Sequence, residues 1–395
     1  MEIGHESIRS AKLNNDVVLV RTHPQQQSIS QTHHDRSRIQ SSFYLARLPL
    51  TSIRPGTGGE LGHHHRSRSR HCQEPRNPPP RRNTSGAIAG SYYDSTGVSH
   101  GFDRSPSGTI TTFSATGAGT KSGQGTYGVQ INNGVTIAGY YKDSSSADHG
   151  YTRTSSGTIT AFTVTGGGKA SGQGTECCGI NTHGTLSGYH IDSKNVSHGY
   201  VRTSAGGVTT YNVTGAGTGA DQGTKGGAIN DSGTVTGFYI DKSGVMHGFV
   251  RNAAGAITTY SVSGAGTASG QGTDPICINS AGTVVGYYID SKGDFHGFKR
   301  TSAGVITDIN VTGATETLAT GINTAGTITG YSLTSKKTLE SFSRSSSGTF
   351  TTFEAPGAGS GVAQGTFAFA INTGGSITGY YLTSGTVFEG FLRTP

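Results

Sequence analysis

A repeat of about 49 residues is the feature that most constrains the fold of this chain. A His-Gly-aromatic triplet recurs at steps of 49 residues, and Glu340 and Glu389 continue the series after steps of 44 and 49. The five histidines are His100, His149, His198, His247 and His296. Units of this length are stabilised by their neighbours, so the chain cannot be divided by ordinary domain lengths.

Each unit has the pattern of four short strands. In one unit they are predicted at Gly207 to Val213, Thr224 to Ile229, Thr234 to Ile240 and Met246 to Arg251, separated by Gly, Asn, Asp and Ser. A helical period is absent from the pattern. Four antiparallel strands per unit predict an all-β fold, a β-propeller, because the coils of a β-solenoid would be shorter and would lack hairpins.

The unit can be counted from an asparagine that precedes the third predicted strand. It stands at Asn83, Asn132, Asn181, Asn230, Asn279, Asn323 and Asn372. These positions predict seven blades. The first blade is expected to be incomplete, since it has only its third and fourth strands, and the sixth unit is expected to have a trimmed loop around Thr315 to Thr320.

The first 82 residues differ from the rest in composition. They hold 13 Lys and Arg against 6 Asp and Glu, whereas residues 83–395 hold 17 of each. We expect residues 1–82 to be a disordered basic leader, or sequence that replaces genuine repeats through a frameshift or a wrong start, and residues 83–395 to be the propeller. The neutral repeat region gives no reason to expect nucleic acid as a specific partner.

No signal peptide or transmembrane run is visible in the sequence as given. The histidine tract at His63 to His65, with His71 and Cys72, is expected to bind metal only incidentally. Adjacent Cys177 and Cys178 could form a vicinal disulfide, but small apolar positions are the simpler interpretation.

An aspartate stands six residues before each histidine. The aspartates are Asp94, Asp143, Asp192, Asp241 and Asp290. In the two units with glutamate, the aspartate is replaced by Thr334 and Thr383. We predict that the paired side chains meet across a hairpin, with imidazole bonding to Asp and Thr hydroxyl to Glu. Catalytic acid–base pairs are the alternative, which five copies argue against.

Arginine also occupies one fixed position, four residues after each His or Glu. The arginines are Arg104, Arg153, Arg202, Arg251, Arg300, Arg344 and Arg393. We predict that they bind carbonyl groups of the adjacent blade. The alternative is a ring of cations that binds an anion on the propeller axis.

Paired aromatic residues, such as Tyr140 and Tyr141, are expected to fill the core and the blade interfaces rather than to stack on sugars. Asp290 to Asp294 lacks the spacing of a calcium loop, so we expect no metal there. The sequence predicts no catalytic residue and no cofactor.

The motifs Ile278-Asn279, Gly286-Tyr287-Tyr288-Ile289-Asp290 and His296-Gly297-Phe298 resemble the bacterial extracellular repeat proteins of the HAF family, over residues 83–395. The resemblance implies a secreted or surface-associated propeller-like protein and brings no ligand or catalytic residue with it. We therefore expect a monomeric binding module whose partner is a glycan or a protein. A hydrolase or lyase acting on polysaccharide and a purely structural surface protein remain alternatives.

Overall fold

The computed structural model describes residues 81–385 and 387–395, and for Arg81 and Arg82 it describes the backbone. The described residues contain 27 strands and no helix. The strands form seven successive groups along the chain. Group 1 consists of β1 (Arg81–Arg82), β2 (Ile88–Tyr93), β3 (Ser99–Arg104) and β4 (Ile110–Phe113). Group 2 consists of β5 (Gly125–Ile131), β6 (Ile137–Lys142), β7 (Asp148–Arg153) and β8 (Ile159–Phe162). Groups 3 and 4 are β9 (Gly174–Ile180), β10 (Leu186–Ile191), β11 (Ser197–Arg202) and β12 (Val208–Tyr211), then β13 (Gly223–Ile229), β14 (Val235–Ile240), β15 (Met246–Arg251) and β16 (Ile257–Tyr260).

The remaining strands continue the series. Groups 5 and 6 are β17 (Gly272–Ile278), β18 (Val284–Ile289), β19 (Phe295–Arg300) and β20 (Ile306–Ile309), then β21 (Ala314–Ile322), β22 (Ile328–Thr334), β23 (Leu339–Arg344) and β24 (Phe350–Phe353). Group 7 has three strands, β25 (Gly365–Ile371), β26 (Ile377–Leu382) and β27 (Phe388–Arg393). Residues 310–313 connect β20 to β21, whereas residues 114–124 make the corresponding connection between β4 and β5, so a loop of the sixth unit is short. The shortening was predicted around Thr315 to Thr320, but these residues belong to β21.

Strands within a group pair antiparallel in chain order, as β5–β6, β6–β7 and β7–β8 do. The predicted strands agree closely with these bounds, but the predicted grouping was wrong. The strand taken as the first of a unit, β12, pairs with β11 and is the outer strand of the preceding group. Group 1 therefore has four strands, with β1 as a short inner strand, and group 7 is the one with three. A repeat pattern has no intrinsic starting point, so spacing alone could not fix this grouping.

Neighbouring groups are joined by a parallel bridge between Ser99 and Gly125 and by its equivalents. Gly125 has a φ of +111°, and a Cβ there would lie 2.1 Å from the carbonyl oxygen of Ser99. Only glycine allows this approach. No such bridge joins β19 to β21 in the described part of the chain, where the short loop replaces this glycine.

The seven asparagines form a cyclic series of hydrogen bonds. Each Nδ2 donates to the backbone carbonyl of the next asparagine at 3.0 to 3.2 Å, and Asn372 donates to Asn83. The Oδ1 of Asn132 meanwhile accepts from the amide of Thr136 in its own turn, at 2.9 Å. One side chain thus closes a turn and links two groups. A cavity of about 140 Å³, lined by the ends of β5, β9, β13, β17, β21 and β25, lies inside this arrangement.

Aromatic rings fill the space between groups. Tyr151, Phe249 and Phe298 are fully buried, and Tyr151 meets Phe113 of group 1 edge to face at 6.1 Å. Tyr140 stacks on Tyr127 at 4.9 Å, so these rings pack within the protein as predicted. Cys177 and Cys178 are buried in the core. Cys72 and the histidine tract lie outside the described residues.

None of the described elements is a helix with the length and apolarity needed to cross a membrane.

Candidate functional site

The Asp and His residues of each repeat meet at one end of their group. Nε2 of His100 lies 3.0 Å from Oδ2 of Asp94. The equivalent distances between histidine Nε2 and aspartate Oδ2 are 3.1 Å at His149, 3.4 Å at His198, 3.2 Å at His247 and 3.3 Å at His296. The aspartates lie in the turns between the second and third strands. We call this the Asp–His end, and the opposite end, with the asparagine turns, the Asn end.

Each aspartate has two separate tasks. Oδ1 of Asp241 accepts from the amides of Ser243 and Val245, which closes the turn, while Oδ2 faces the imidazole of His247. An ionised carboxylate only accepts hydrogen bonds, so we assign the imidazole proton to Nε2. The pairs therefore hold the hairpin in shape, as the structural interpretation of the sequence expects.

A third polar side chain completes the set in four groups. Nδ1 of the histidine lies 2.9 to 3.1 Å from Ser114, Thr163, Asn212 or Ser261, all exposed and fourteen residues after their histidine. Sequence reasoning missed this third member, although its constant spacing was available as a signal. Where the third residue is serine, the Asp, His and Ser side chains follow one another as they do in a hydrolytic triad. In group 3, however, the same place is taken by Asn212, which cannot act as a nucleophile. The arrangement therefore does not depend on a nucleophile.

An aromatic ring supports each histidine from the neighbouring strand. Tyr141 stacks on His149, Tyr239 on His247 and Tyr288 on His296, each with ring centroids 4.9 Å apart. In group 3 the supporting ring is His190, which stacks on His198 at the same distance. The histidine side chains are 25 to 28% exposed, so fixed polar edges reach the surface at repeated positions.

The aspartates stay ionised across a wide pH range. Partial burial alone would raise the pKa of Asp94, but hydrogen bonds from His100, Thr96 and the Val98 amide lower it to about 2. Hydrogen bonds outweigh burial and lower the pKa of the other four aspartates too. The Asp–His end therefore displays five carboxylates, each oriented by its own turn.

The predicted bond between threonine and glutamate was wrong. Thr334 bonds through its hydroxyl to Thr338, and the Thr383 hydroxyl accepts from the amide of Val387. Among these described residues, neither threonine bonds to the glutamate of its own unit, and Glu389 accepts from Tyr381 at 2.5 Å. Threonine has one side-chain oxygen, which closes the turn as Oδ1 of aspartate does, so none is left to orient a histidine.

The arginines act between groups, but through rings rather than carbonyls. The guanidinium of Arg153 lies 4.6 Å from the centre of Phe113, a residue of the preceding group, and 3.1 Å from Oδ1 of Asp103. Arg202, Arg251, Arg300 and Arg393 stand over rings of their preceding groups in the same way. The carbonyl bonds of Arg104, Arg251 and Arg300 go to the next residue of their own chain segment. These arginines lie on third strands and stack on rings of the preceding group, so the structure gives no support to the predicted alternative of a ring of cations that binds an anion.

One arginine departs from this arrangement for a visible reason. In group 5 the outer strand ends in Ile309 instead of an aromatic residue. Arg344 of the following group instead stands 5.5 Å from Phe350 of its own group.

A buried cluster of charges breaks the repeat between groups 2, 3 and 4. Lys142 Nζ lies 2.8 Å from Oδ1 of Asp148, and Tyr189 donates to Glu176 at 2.7 Å. Lys225 Nζ lies 5.0 Å from the centre of the Tyr189 ring. Burial raises the pKa of Glu176, while the attraction of Lys142 and Lys225 opposes this rise. Sequence reasoning missed this cluster. A signal was available, because the position of Glu176 and Lys225 is apolar in groups 6 and 7, where it is Leu318 and Phe367.

No group of three or more potential metal ligands occurs in the described part of the chain. Oδ1 of Asp290 accepts from the amides of Lys292 and Asp294, so this carboxylate closes a turn.

No family model and no curated protein matches the sequence. Among solved structures, the BP39L lectin from Burkholderia pseudomallei is similar with a TM-score of 0.55 and 10% identity, over 83% of this chain and 97% of the lectin. A prolyl endopeptidase is similar with a TM-score of 0.50 and 12% identity, over 80% of this chain and 50% of the peptidase. At such identities the likeness concerns the fold alone. Together with the repeated four-stranded groups, it identifies the chain as an all-β propeller repeat protein.

Proposed function

We propose that this protein is a glycan-binding module and that its ligand is bound at the Asp–His end. The observation that carries the proposal is the repetition there of a fixed carboxylate, an imidazole edge and a hydroxyl or amide, at the same place in successive groups. Sugars present many hydroxyl groups, which donate to carboxylates and accept from hydroxyl and amide groups. The likeness of the fold to a lectin is consistent with this ligand class.

The rigidity of the set favours binding of a flexible, polar ligand. Each aspartate is held by its turn, and each imidazole is held between its aspartate and a neighbouring ring, with a hydroxyl or an amide as a third contact in four groups. Side chains that are already ordered lose little conformational entropy when a ligand binds. Repetition around one end also allows several weak contacts with one branched or polymeric glycan to act together.

We further propose that groups 1 to 7 are the blades of a closed seven-bladed propeller, that the domain covers residues 83–395, and that it works at the cell surface or outside the cell. The bond from Asn372 to Asn83, which joins residues of groups 7 and 1, supports closure. The shared cavity at the inner strands supports a common axis. The location follows from the resemblance to extracellular repeat proteins, and cell fractionation would test it.

A glycan array with the purified full chain tests the proposed ligand class. We expect binding to at least one glycan class, and a loss of at least tenfold when Asp94, Asp143, Asp192, Asp241 and Asp290 are all replaced by Asn. Asparagine keeps the Oδ1 acceptor that closes each turn and removes the charge beside the histidine. Circular dichroism and thermal melting establish that this variant folds.

A matched control carries Ser107→Ala and Ser156→Ala, which remove exposed hydroxyls from turns at the Asn end. It should bind the array like the natural sequence. Equal loss in both variants, or unchanged binding of the folded five-site variant, contradicts a site at the Asp–His end.

A further inference from the structure

In groups 1 to 4 the outer strand ends in an aromatic residue that lies in a small pocket, which we call the seat, bounded by three walls. For Phe113 these walls are Gly101 of its own group and Tyr151 and Arg153 of the next one. A Cβ on Gly101 would lie 2.4 Å from the ring, the Tyr151 ring is 6.1 Å away edge to face, and the guanidinium lies 4.6 Å from the ring centre. The same seat holds Phe162, Tyr211 and Tyr260.

The equivalent seat in group 7 holds no ring among the described residues. The nearest atom to a Cβ built on Gly390 is the carbonyl oxygen of Gly379, at 3.9 Å. The walls that belong to the next group are Phe102 and Arg104 of group 1. Arg104 stands over no ring in the described part of the chain, in contrast to the other six arginines of the series.

The backbone beside this seat is also open to pairing. β27 pairs with β26, and on its other side the described residues provide no strand, whereas the equivalent strands β3, β7, β11, β15, β19 and β23 each pair with an outer strand. An unpaired edge next to a side-chain seat is the usual requirement for binding an extended peptide as an added strand.

We propose that the groove between β27 and group 1 binds an extended peptide segment donated by another chain, in which a β-branched residue and two threonines or similar small residues precede an aromatic residue. The chain itself shows the chemistry of the occupant four times, because β4, β8, β12 and β16 have the sequences ITTF, ITAF, VTTY and ITTY. Backbone bonds to β27 supply affinity, and the ring between Gly390 and Arg104 supplies specificity. This inference does not depend on glycan binding.

Fluorescence anisotropy with a labelled peptide of residues 108–113, Gly-Thr-Ile-Thr-Thr-Phe, tests the proposal on the full chain. We expect saturable binding, and at least tenfold weaker binding when the phenylalanine of the peptide is replaced by alanine. Absence of saturable binding overturns the proposal, as does equal binding of the two peptides.

Two variants locate the peptide. Gly390→Leu should fill the seat and abolish binding, and because the described residues leave space beside this position, the melting temperature should not fall. Arg104→Gln should weaken binding several-fold, whereas Arg153→Gln, whose ring partner is already in place, should bind the peptide normally. Unchanged peptide affinity in a folded Gly390→Leu variant refutes the assignment of the groove.

Discussion

His190 should make this protein sensitive to mild acid. It occupies the position of Tyr141 and Tyr239, is only 5% exposed, and its Nδ1 has no hydrogen-bond partner among the described residues. Burial, helped by the neighbouring His198, lowers the pKa of His190 to about 4. A cation formed here would lie inside the protein, against a second imidazole.

The size of the effect follows from the difference between folded and unfolded states. The imidazole titrates near pH 6.5 in an unfolded chain and near pH 4 in the folded one, so the unfolded state binds the proton more tightly between these values. The stability contributed by neutral His190 is complete above pH 6.5 and is lost as the pH falls toward 4. The loss is about 2 kcal/mol between pH 7 and pH 5 and about 3 kcal/mol at pH 4.

Urea unfolding of the natural sequence and of His190→Tyr at several pH values measures this loss. The tyrosine should fit, because groups 2, 4 and 5 have the same stacked pair with tyrosine in this place. We expect the variant to lose about 2 kcal/mol less than the natural sequence between pH 7 and pH 5. The exposed His183, replaced by tyrosine, is the control and should leave the pH dependence unchanged. Parallel pH curves for His190→Tyr and the natural sequence would refute the reasoning.

Three further substitutions test the structural account. Arg251→Lys should lower the free energy of unfolding by about 1 kcal/mol because the guanidinium leaves the Tyr211 ring. Arg104→Lys, at a position where the described residues provide no ring, should change it much less, and equal effects in thermal melts would contradict the ring contact. Lys142→Ile alone should lower the free energy of unfolding in urea by about 3 to 5 kcal/mol, because it leaves buried Asp148 unpaired. Adding Asp148→Ser gives the pair found in group 3, Ile191 and Ser197, and should recover most of that loss; additive effects of the two substitutions would refute the pairing. Asn132→Leu should lower the free energy of unfolding by about 2 to 3 kcal/mol, since it removes the hydrogen bonds to Thr136 and Asn181. A chemical denaturation midpoint equal to that of the exposed-turn variant Ser107→Ala would contradict the role of the asparagine series.

The regular parts of the fold could be predicted because each repeat records the same local chemistry. The strand bounds and the contacts between Asp241 and His247 follow from alternation and turn residues that recur at fixed spacing. The grouping of strands did not follow, because pairing of β12 with β11 depends on the tight turn at Thr203 to Gly206 and not on where the repeat is counted from.

The less regular parts needed three-dimensional contacts. The aspartate has one oxygen for the turn and one for the histidine, and this division explains why Thr334 cannot orient a partner. The partner of Arg153 is a ring 40 residues earlier in the chain, Phe113, so the carbonyl prediction for the arginine was wrong. The charges at Glu176 and Lys225 looked like ordinary strand residues, and only the packing between groups shows that they are buried together.

Nuclear magnetic resonance of the protein with ¹³C-labelled histidine tests the central proposal most directly. The imidazole signals are assigned by single substitutions and recorded with increasing amounts of a glycan selected from the array. The account predicts saturable shifts for signals of the Asp–His end, from His100, His149, His198, His247 and His296, with His183 unmoved. If the protein is saturated with glycan and all five of these signals stay in place, the ligand is bound elsewhere and the proposed site is contradicted.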